Sequence, residues 1–524
     1  MTLIHPIDIL VSQVTEGSAP LDELRCTLWG DEVSQREGHT CLHDGTKGAW
    51  RVPLETQTLA GVKMGEANSG RALLVDLYEL TMAAGYFEHR VECRATFELF
   101  VRALPPVRSY LVAAGLDSAL DYLENLYFSE EDIRFLRDQP ALRTVSQPFF
   151  DYLRSFRFTG DVYAMEEGTL VFAEEPILQV TAPVLEAQII ETYLLSVINF
   201  ETLVASKAAR VVRAARGRGV LEFGTRRAHG PEAGVRAGRA AYVGGCVATS
   251  NVLAGYRYSI PLAGTAAHSW TQVFPTERQS FEALLETFPE TAILLIDTYD
   301  PLVGAQTAAE LGRQIPGVRL DSGDLFEKSR RVREILDRRG LRDTKIVASG
   351  DLNEYKIDKL LSQGAPIDIF GVGTDLATSR DVPALSVVYK LVETEQDGRV
   401  EYKTKFSEKK VHLPGRKQVF RFSSGGKFDH DRIARATESY PEATPLLQPV
   451  MQRGRRVAPR VPLPELRART LASLERLPER YHALRAAPAY PVRKSAALKR
   501  LLEEVCKRYL PAPQAPNVVI PSKG

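Results

Sequence analysis

The sequence predicts an α/β protein built around a parallel barrel. Between about residues 219 and 395, short apolar runs alternate with helical segments, the runs being GVLEFG, AAYVGG, YSIPLAG, AILLID, GVRLD, KIVASG and DIFGVG. Repeated strand–helix units of this size form parallel sheets, and a set this large favours a barrel over an open sheet. The chain has 524 residues, 44% of them hydrophobic, which suffices for a large core and two or three domains.

The segment before the barrel indicates a mixture of helices and antiparallel strands. Apolar residues at helical spacing predict a helix over about 72–90, and RATFELFVRAL predicts a strand. Ser129, three residues before Asp132, indicates a capping box at a helix start. Residues 158–182 alternate like antiparallel strands with Gly and Pro at the turns, and a long helix is predicted from Pro183 onward.

The two ends of the chain differ from its centre in residue composition and in hydrophobic periodicity. The first 63 residues show weak periodicity, so we expect a poorly ordered extension, with Met64 as an alternative start. After residue 400 a polar segment, KTKFSEKKVHLPGRKQVFRF, leads to an Arg-rich tail that is predicted to be helical to about residue 508. The expected organisation is an extension (1–63), an N-terminal α+β domain (64–200), the catalytic barrel (201–400), a C-terminal region packing on the N-terminal domain (401–510) and a disordered Pro-rich tail (511–524).

Composition and motifs exclude several function classes. A formal net charge of +1, and a basic tail with few aromatic residues, argue against nucleic-acid or membrane partners. The sequence offers no apolar run of ~18 residues and no recognisable signal peptide, so we expect a soluble, cytoplasmic protein. Five scattered cysteines without a C-x-x-C pair fit a reducing compartment and argue against a zinc site. Neither a Walker A motif nor a complete G-x-G-x-x-G after a strand is present, which excludes an ordinary P-loop ATPase or Rossmann dehydrogenase.

Polar and charged residues cluster where the predicted strands end, which is where the chemistry of α/β barrels lies. In chain order they are Phe223, Arg226 and Arg227; Thr265 and His268; Arg319, Asp321, Ser322 and Asp324; Ser349 and Gly350; and Gly371, Gly373 and Thr374. An isolated histidine in a stretch such as GTAAHSW is more often a core histidine satisfied by a backbone carbonyl. A functional role for His268 therefore depends on its neighbours.

The stretch RLDSGD combines one cation with two acids. An arginine suits a carboxylate or phosphate, and the acids suit ribose hydroxyls or hydrated Mg²⁺, although a helix-capping loop with a local ion pair is the alternative. Two later runs end in S-G and G-x-G-T before a helix, where backbone N–H groups bind anions, although each alone is more often a tight turn. Together these patterns indicate a highly phosphorylated ligand with a small acidic or aromatic part.

A set of motifs, taken in chain order, resembles the nicotinate phosphoribosyltransferase family over about residues 70–510. The motifs are DLYELTMAAGYF, FELFVR, EFGTRRAHGP, TSNVLAG, GTAAHSW, DTYDPLVGA, GVRLDSGDL and GVGT followed by YKLV. The family joins nicotinate to 5-phosphoribosyl-1-pyrophosphate in NAD salvage, giving nicotinate mononucleotide and pyrophosphate, and couples the reaction to ATP hydrolysis. The resemblance implies an incomplete TIM-like α/β barrel, a second α+β domain formed by the N-terminal part plus C-terminal segments, and a homodimer with active sites at the interface.

The resemblance also implies roles for individual residues. His268 matches the histidine that ATP phosphorylates, and Arg319 and Asp321 join it as catalytic residues. Nicotinate contacts are implied for Tyr78, which the family supplies from the partner subunit, and for Phe223, stacked on the pyridine ring, Arg226, Thr265 and Arg319. Contacts to phosphoribosyl pyrophosphate are implied for Arg227, Asp321, Ser349, Gly350, Gly371, Gly373 and Thr374. Mg²⁺ is expected to enter with the substrate, with Asp321 and Asp324 as candidate protein ligands.

Two other functions stay open at this point. Nicotinamide phosphoribosyltransferases of the same superfamily read the amide with an acidic side chain in the stretch that matches TSNVLAG. Here Thr249, Ser250 and Asn251 are neutral, which favours nicotinate because an acid would repel its carboxylate. A catalytically dead barrel with a binding or scaffold role would be expected to lack one of the charged residues or glycine loops above, and all are present.

Overall fold

The computed structural model describes residues 71–406 and 411–509 of the chain. The extension predicted over 1–63, the alternative start at Met64 and the disordered tail predicted over 511–524 lie outside these residues.

The elements of the described residues are as follows. The helices are α1 (Leu77–Glu88), α2 (Leu116–Asn125), α3 (Glu130–Arg137), α4 (Gln147–Ser155), α5 (Val184–Ile189), α6 (Glu191–Ala214), α7 (Pro231–Val243), α8 (Val252–Tyr258), α9 (His268–Val273), α10 (Glu277–Thr287), α11 (Pro301–Ala309), α12 (Leu325–Arg338), α13 (Glu354–Ser362), α14 (Thr374–Ala377), α15 (Leu463–Arg476) and α16 (Ala496–Tyr509). The strands are β1 (Arg94–Val101), β2 (Leu111–Val112), β3 (Asp161–Met165), β4 (Leu170–Val171), β5 (Pro176–Pro183), β6 (Gly219–Glu222), β7 (Ala248–Thr249), β8 (Ile293–Leu295), β9 (Gly317–Leu320), β10 (Lys345–Ala348), β11 (Ile369–Val372), β12 (Val387–Gln396), β13 (Arg399–Tyr402), β14 (Lys417–Ser424), β15 (Lys427–Arg435), β16 (Thr444–Pro445), β17 (Leu447–Gln452), β18 (Arg455–Arg456) and β19 (Val492–Lys494).

Six strands form a parallel sheet in the order β7–β6–β11–β10–β9–β8, with β7 and β8 at its edges. The central strands are short, continuous apolar runs because both faces of the sheet are buried, and Val220, Ile346 and Phe370 are at most 1% exposed. Parallel neighbours need crossover connections, and helices α7 to α13 lie in them. The predicted α/β class with a parallel sheet is confirmed.

For two of the apolar runs, the prediction of a strand is wrong. AAYVGG lies at the end of α7, because this segment starts with Pro231 at a favourable first position and is rich in alanine, a strong helix former. In YSIPLAG, α8 extends to Tyr258, and only Leu262 makes an isolated bridge, to Thr249. A short apolar run does not distinguish a buried helix from a strand by its periodicity.

The second large sheet joins parts of the chain that are distant in sequence. Its strand order is β13–β12–β1–β5–β3–β17–β18, and β12 pairs antiparallel with β1. The strands β1, β3 and β5 precede the parallel sheet in the chain, whereas β12, β13, β17 and β18 follow it. Leu99, Leu178 and Val180 are fully buried in its core. Strands from before and after the parallel sheet therefore share one antiparallel sheet.

The prediction of a helical tail between the polar segment and about residue 508 is only partly correct, because strands as well as helices lie there. Among the residues described there, a four-stranded sheet has the order β16–β14–β15–β19, and the α-helices are α15 and α16. The hairpin of β14 and β15 turns at Gly425 and Gly426, whose φ values of 57° and 77° suit a two-residue hairpin turn. The alternation in KQVFRFSS and the paired glycines are strand signals, which the Arg-rich composition obscured.

Helix α6 connects the two cores. Leu194 and Ile198 pack in the core of the antiparallel sheet, and Val204 and Ala208 pack in the core of the parallel sheet. The long helix predicted from Pro183 corresponds to α5 and α6, and the capping box predicted at Ser129 is confirmed at the start of α3. In the part of the chain that is described, every helix is too short or too polar to traverse a lipid bilayer.

Candidate active site

Arg319, in β9, connects three of the predicted strand ends. Its Nε donates to Ser349 Oγ (2.7 Å), its Nη1 to Thr265 Oγ1 (2.6 Å) and its Nη2 to Asp321 Oδ1 (2.6 Å). An arginine has five N–H donors. Among the described residues, the one further contact of this side chain is a long one (3.5 Å) from Nη1 to the Ala266 carbonyl oxygen. The two terminal nitrogens therefore retain donors for a planar anion such as a carboxylate.

Asp321 is held at the same centre by its side chain and its backbone. Its Oδ1 also accepts from Ser349 Oγ (2.5 Å), and its N–H donates to Asp297 Oδ2 (2.7 Å). Its other oxygen, Oδ2, lies 3.9 Å from His268 Nε2. Arg319 and Ser349 thus hold one carboxylate oxygen, while the second is directed toward the histidine ring.

His268 is the first residue of α9, and its side chain is 42% exposed. Its Nδ1 lies 3.2 Å from Thr298 Oγ1, on the opposite side of the ring from the atom that faces Asp321. The alternative of a buried core histidine is wrong, because a packed core ring would not be accessible to this extent. The ring is oriented by polar neighbours and open to a ligand.

Sequence reasoning missed Asp297 and Thr298, which follow β8. Asp297 is 8% exposed, its Oδ2 also accepts from Ser322 Oγ (3.2 Å), and its Oδ1 has no partner among the described residues. Both residues belong to the DTYD stretch directly after AILLI. Their position directly after a strand is the signal that could have identified them, because the functional residues of α/β barrels lie where the strands end.

Glycines at two strand ends leave room for neighbouring groups. A Cβ at Gly371 would lie 2.7 Å from two ring carbons of Phe223, so only glycine allows the ring to lie against β11. Gly373 lies beside the Phe223 carbonyl oxygen, 3.2 Å from the position of a Cβ. Gly350 has φ of 98°, and a Cβ there would collide with the carbonyl oxygen of Asp321. The structure therefore brings Phe223 to the glycine loop after β11, and Asp321 to the loop after β10.

Gly350→Ala is expected to destabilise the protein and to displace the Asp321 loop. The left-handed backbone alone costs a non-glycine residue about 1–3 kcal/mol, and the collision with Asp321 adds to this cost. Gly340→Ala is the matched control, because Gly340 has φ of 77° but no neighbour within 4 Å. Thermal unfolding and turnover are measured for both variants. Equal losses in the two variants would contradict the role assigned to the close approach.

Buried Glu222 ties the β6–α7 loop to the β7–α8 loop. One of its oxygens accepts from the Gly224 N–H, and the other accepts from Thr249 Oγ1 (2.6 Å). Asn251 donates its N–H to Thr249 Oγ1 (3.0 Å) and its side-chain amide to Thr225 Oγ1 (3.0 Å). Burial raises the pKa of the Glu222 carboxyl, against the effect of these hydrogen bonds. The network fixes the loop that carries Phe223.

Besides Phe223 and the glycines beside it, five of the predicted site residues lie outside the Arg319 cluster. Arg226 and Arg227 are exposed in a single 3₁₀ turn, and Thr374 opens α14. Asp324 caps α12 through its side chain, so the capping alternative holds for this acid. Tyr78 is 46% exposed on α1, which packs against α4 and α5, and partial burial together with nearby acids raises the pKa of its phenol.

The carboxylates of the centre fit a cation that brings its own ligands. Within residues 71–406 and 411–509, no group of three His, Cys, Asp or Glu side chains is placed to hold a metal ion. Asp321 Oδ2 is the oxygen of that carboxylate which neither Arg319 nor Ser349 contacts. A single free carboxylate oxygen suits Mg²⁺, which usually keeps phosphate and water oxygens as its other ligands.

Comparisons with known proteins agree along the chain. The model of the nicotinate phosphoribosyltransferase N-terminal domain matches residues 73–199, the model of the nicotinate phosphoribosyltransferase family matches residues 219–410, and the model of its C-terminal domain matches residues 438–502.

Individual relatives span most of the chain. The nicotinate phosphoribosyltransferase pncB2 of Mycobacterium tuberculosis is 47% identical over 397 residues, which cover 75% of this chain and 84% of that protein. The nicotinate phosphoribosyltransferase of Bacillus subtilis is 45% identical over 370 residues, covering 69% and 75%. Among solved structures, human nicotinic acid phosphoribosyltransferase superposes with a TM-score of 0.71 at 30% identity, covering 82% of this chain and 99% of that one.

Proposed function

The chain belongs to the nicotinate phosphoribosyltransferase family, and on that premise we propose how its site joins nicotinate to 5-phosphoribosyl-1-pyrophosphate. The enzyme makes nicotinate mononucleotide and pyrophosphate and thereby serves NAD biosynthesis. The observation that most supports the proposed mechanism is the Arg319 centre, in which one partly buried guanidinium contacts residues of three loops and retains donors for an anion.

Nicotinate is held by its carboxylate and its ring. The free donors of Arg319 bind the carboxylate in a planar, charge-assisted arrangement, with Thr265 beside it. Phe223, seated against Gly371, stacks on the pyridine ring. Arg226 adds positive charge at the mouth of the site. This arrangement places the ring nitrogen for attack, and positioning of two reactants lowers a large part of the barrier.

Phosphoribosyl pyrophosphate is bound by the glycine loops and by charge. Ser349 and Gly350 after β10, and Gly371, Gly373 and Thr374 after β11, offer small residues and backbone N–H groups for the ribose 5-phosphate. Arg227 contributes attraction for phosphate, and Asp321 faces the ribose. Asp321 would be the protein ligand of a Mg²⁺ ion carried by the pyrophosphate, and the ion would supply positive charge for the leaving group.

The reaction itself demands electrostatic stabilisation. The pyridine nitrogen is a neutral nucleophile, and the transition state resembles an oxocarbenium ion with negative charge growing on the departing pyrophosphate. Fixed positive groups aimed at that charge lower the barrier most. The cations of the strand ends and the backbone donors of the glycine loops supply them.

ATP is the proposed co-substrate, and His268 is the proposed acceptor of its γ-phosphoryl group. The ring is exposed, its two nitrogens lie beside Thr298 and Asp321, and small residues precede it in the chain. Transfer of this group to His268 releases ADP, and the phosphorylated enzyme is proposed to bind phosphoribosyl pyrophosphate more tightly. Hydrolysis of the phosphohistidine then drives an otherwise balanced reaction forward.

Selection of nicotinate over nicotinamide is consistent with the neutral residues after β7. Thr249 and Asn251 are buried and engaged in the Glu222 network, whereas Ser250 between them is exposed. Of these three residues, Ser250 is therefore the one at which an acidic side chain would contact the substrate. The neutral serine does not repel the carboxylate of nicotinate.

We also propose a homodimer in which Tyr78 completes the partner's site. Leu74, Leu77, Tyr78 and Met82 are 39–54% exposed around α1, an apolar patch of the kind that marks an interface. Tyr256 on α8 is also a large exposed side chain, with 84% of its surface accessible. Light scattering of the purified protein is expected to give twice the chain mass.

We also propose that the protein has an incomplete barrel and a second α+β domain, and that it is located in the cytoplasm. An incomplete TIM-like barrel is supported by six parallel strands whose edge strands, β7 and β8, each have one paired neighbour in the sheet. A second α+β domain is supported by the antiparallel sheet that combines N-terminal with C-terminal strands. The cysteine usage supports a reducing compartment, the cytoplasm.

The test is nicotinate mononucleotide formation by the purified protein with nicotinate, phosphoribosyl pyrophosphate and Mg²⁺, with and without ATP. Product formation that ATP stimulates, with matching ADP release, is the expected result. Substitution of nicotinamide for nicotinate is expected to abolish most of the product, and equal use of both would favour the nicotinamide alternative. Binding of phosphoribosyl pyrophosphate without turnover would instead support a dead barrel.

A further inference from the structure

Five charged side chains that the site does not use form a buried cluster behind its glycine loops. This five-charge cluster consists of Arg108, Lys207, Arg210, Glu354 and Asp381. The two acids belong to the segments that follow the loops. Glu354 is the first residue of α13, after the Ser349–Gly350 loop, and Asp381 follows α14, after the Gly373–Thr374 loop. Helix α6 packs against both α13 and α14.

Lys207, on α6, lies at the centre of the cluster. Its Nζ is 2.6 Å from Glu354 Oε2 and 2.9 Å from Asp381 Oδ1, and its side chain is fully buried. Arg108 binds Asp381 at 2.8 Å but is 3.9 Å from Glu354, and Arg210 contacts only Glu354 of the two acids. Among the described residues, Lys207 is therefore the cation within 3 Å of both carboxylates.

The charges of the cluster do not cancel. Three cations face two carboxylates, which leaves one net positive charge in a cluster whose side chains, apart from that of Asp381, are at most 2% exposed. Although burial acts to raise it, the pKa of Asp381 is held well below its usual range by Arg108 and Lys207, so this carboxylate stays ionised. Buried ion pairs contribute little net stability compared with apolar packing, so a cluster of this kind suggests a role beyond stability.

We propose that Lys207 is a positioning residue for phosphoribosyl pyrophosphate: it joins the two glycine loops through Glu354 and Asp381 and adds positive charge behind them. The proposal rests on the proposed function of those loops as the phosphate-binding elements. Two loops on different strands bind one anion only if their backbone N–H groups keep a fixed separation. Lys207 lies on α6, which is separate from both loops, and it fixes the distance between them by contacting both acids. Its positive charge also stabilises the bound phosphate.

Lys207→Met tests the proposal, because it keeps the length of the side chain and removes its charge. We expect KM for phosphoribosyl pyrophosphate to rise roughly tenfold or more, the loss of about one charge-assisted contact. KM for nicotinate and kcat at saturation are expected to stay within about threefold of the unmodified enzyme, a change too small to represent a lost contact.

Lys417→Met is the matched control. Lys417 is equally buried, and its Nζ lies 2.8 Å from Glu98 Oε2 in the antiparallel sheet. Both variants are expected to lower the melting temperature, since each removes a buried cation that lies within 3 Å of a carboxylate. Only Lys207→Met is expected to change KM for phosphoribosyl pyrophosphate. A merely structural role for Lys207 would make the two variants alike, and that outcome overturns the proposal.

Asp381→Asn decides the question if Lys207→Met does not fold. Asp381 is 23% exposed, so the amide is tolerated more easily than a change at a fully buried position. It removes one of the two carboxylates that Lys207 joins, and KM for phosphoribosyl pyrophosphate is again expected to rise selectively. A KM unchanged in the folded variant overturns the proposal. The unmodified enzyme is assayed first, because absence of turnover there contradicts the proposed function itself rather than the role of Lys207.

Discussion

His268→Ala is expected to reduce the stimulation of product formation by ATP to nothing, while some ATP-independent synthesis persists. The reason is that the imidazole is the proposed phosphoryl acceptor, whereas the substrates are held by Arg319 and the glycine loops. The variant is expected to fold normally, because His268 is 42% exposed and alanine is a favourable residue in the first turn of α9. Rates with and without ATP, and label transferred from γ-labelled ATP to protein, are the two measurements.

The control for the label is His89→Ala. His89 is an exposed histidine directly after α1, and its variant is expected to retain both ATP stimulation and acid-labile label. If the His268→Ala protein still takes up label, another residue accepts the phosphoryl group. If it loses all synthesis, with and without ATP, His268 acts in the transfer reaction itself rather than in coupling.

Arg319→Ala is expected to lower kcat/KM for nicotinate by about 30- to 700-fold, the equivalent of 2–4 kcal/mol for a buried charged partner. Two losses add together. The substrate carboxylate loses its bidentate partner, and Asp321, Thr265 and Ser349 lose the donor that orients them. Initial rates at limiting nicotinate, with saturating phosphoribosyl pyrophosphate, measure the effect.

Two further variants define what Arg319 contributes. Arg319→Lys keeps the charge but is expected to recover only part of the activity, because an ammonium is a point charge without the planar fork. Arg313→Ala removes an exposed arginine that contacts only the Glu282 carbonyl among the described residues, and no change is expected. An unchanged rate of Arg319→Ala at limiting nicotinate would show that Arg319 does not read the substrate.

The strand-end residues were predictable from the sequence because parallel strands bring their carboxyl ends to one edge. Five apolar runs, GVLEFG, AILLID, GVRLD, KIVASG and DIFGVG, correspond to β6, β8, β9, β10 and β11. Asp297, Asp321 and Ser349, which follow three of these strands, are joined by hydrogen bonds. The failures have equally local causes. AAYVGG and YSIPLAG are short and apolar without a strand's alternation, and the hairpin of β14 and β15 was hidden behind its arginines.

Residue type and spacing thus determined the α/β class, the family and most of the residues around Arg319, because apolar runs, ordered motifs and polar residues such as Asp321 and Ser349 are each recognisable within short stretches of the chain. Tertiary structure alone decided which side chains meet. Lys207 contacts Asp381 across 174 positions of sequence, Glu222 contacts Thr249 across 27, and the roles of Asp297 and Thr298 depend on the strands beside them. Such pairs depend on the order of strands in the sheet and on how α6 packs against it, and no local pattern of residues specifies either.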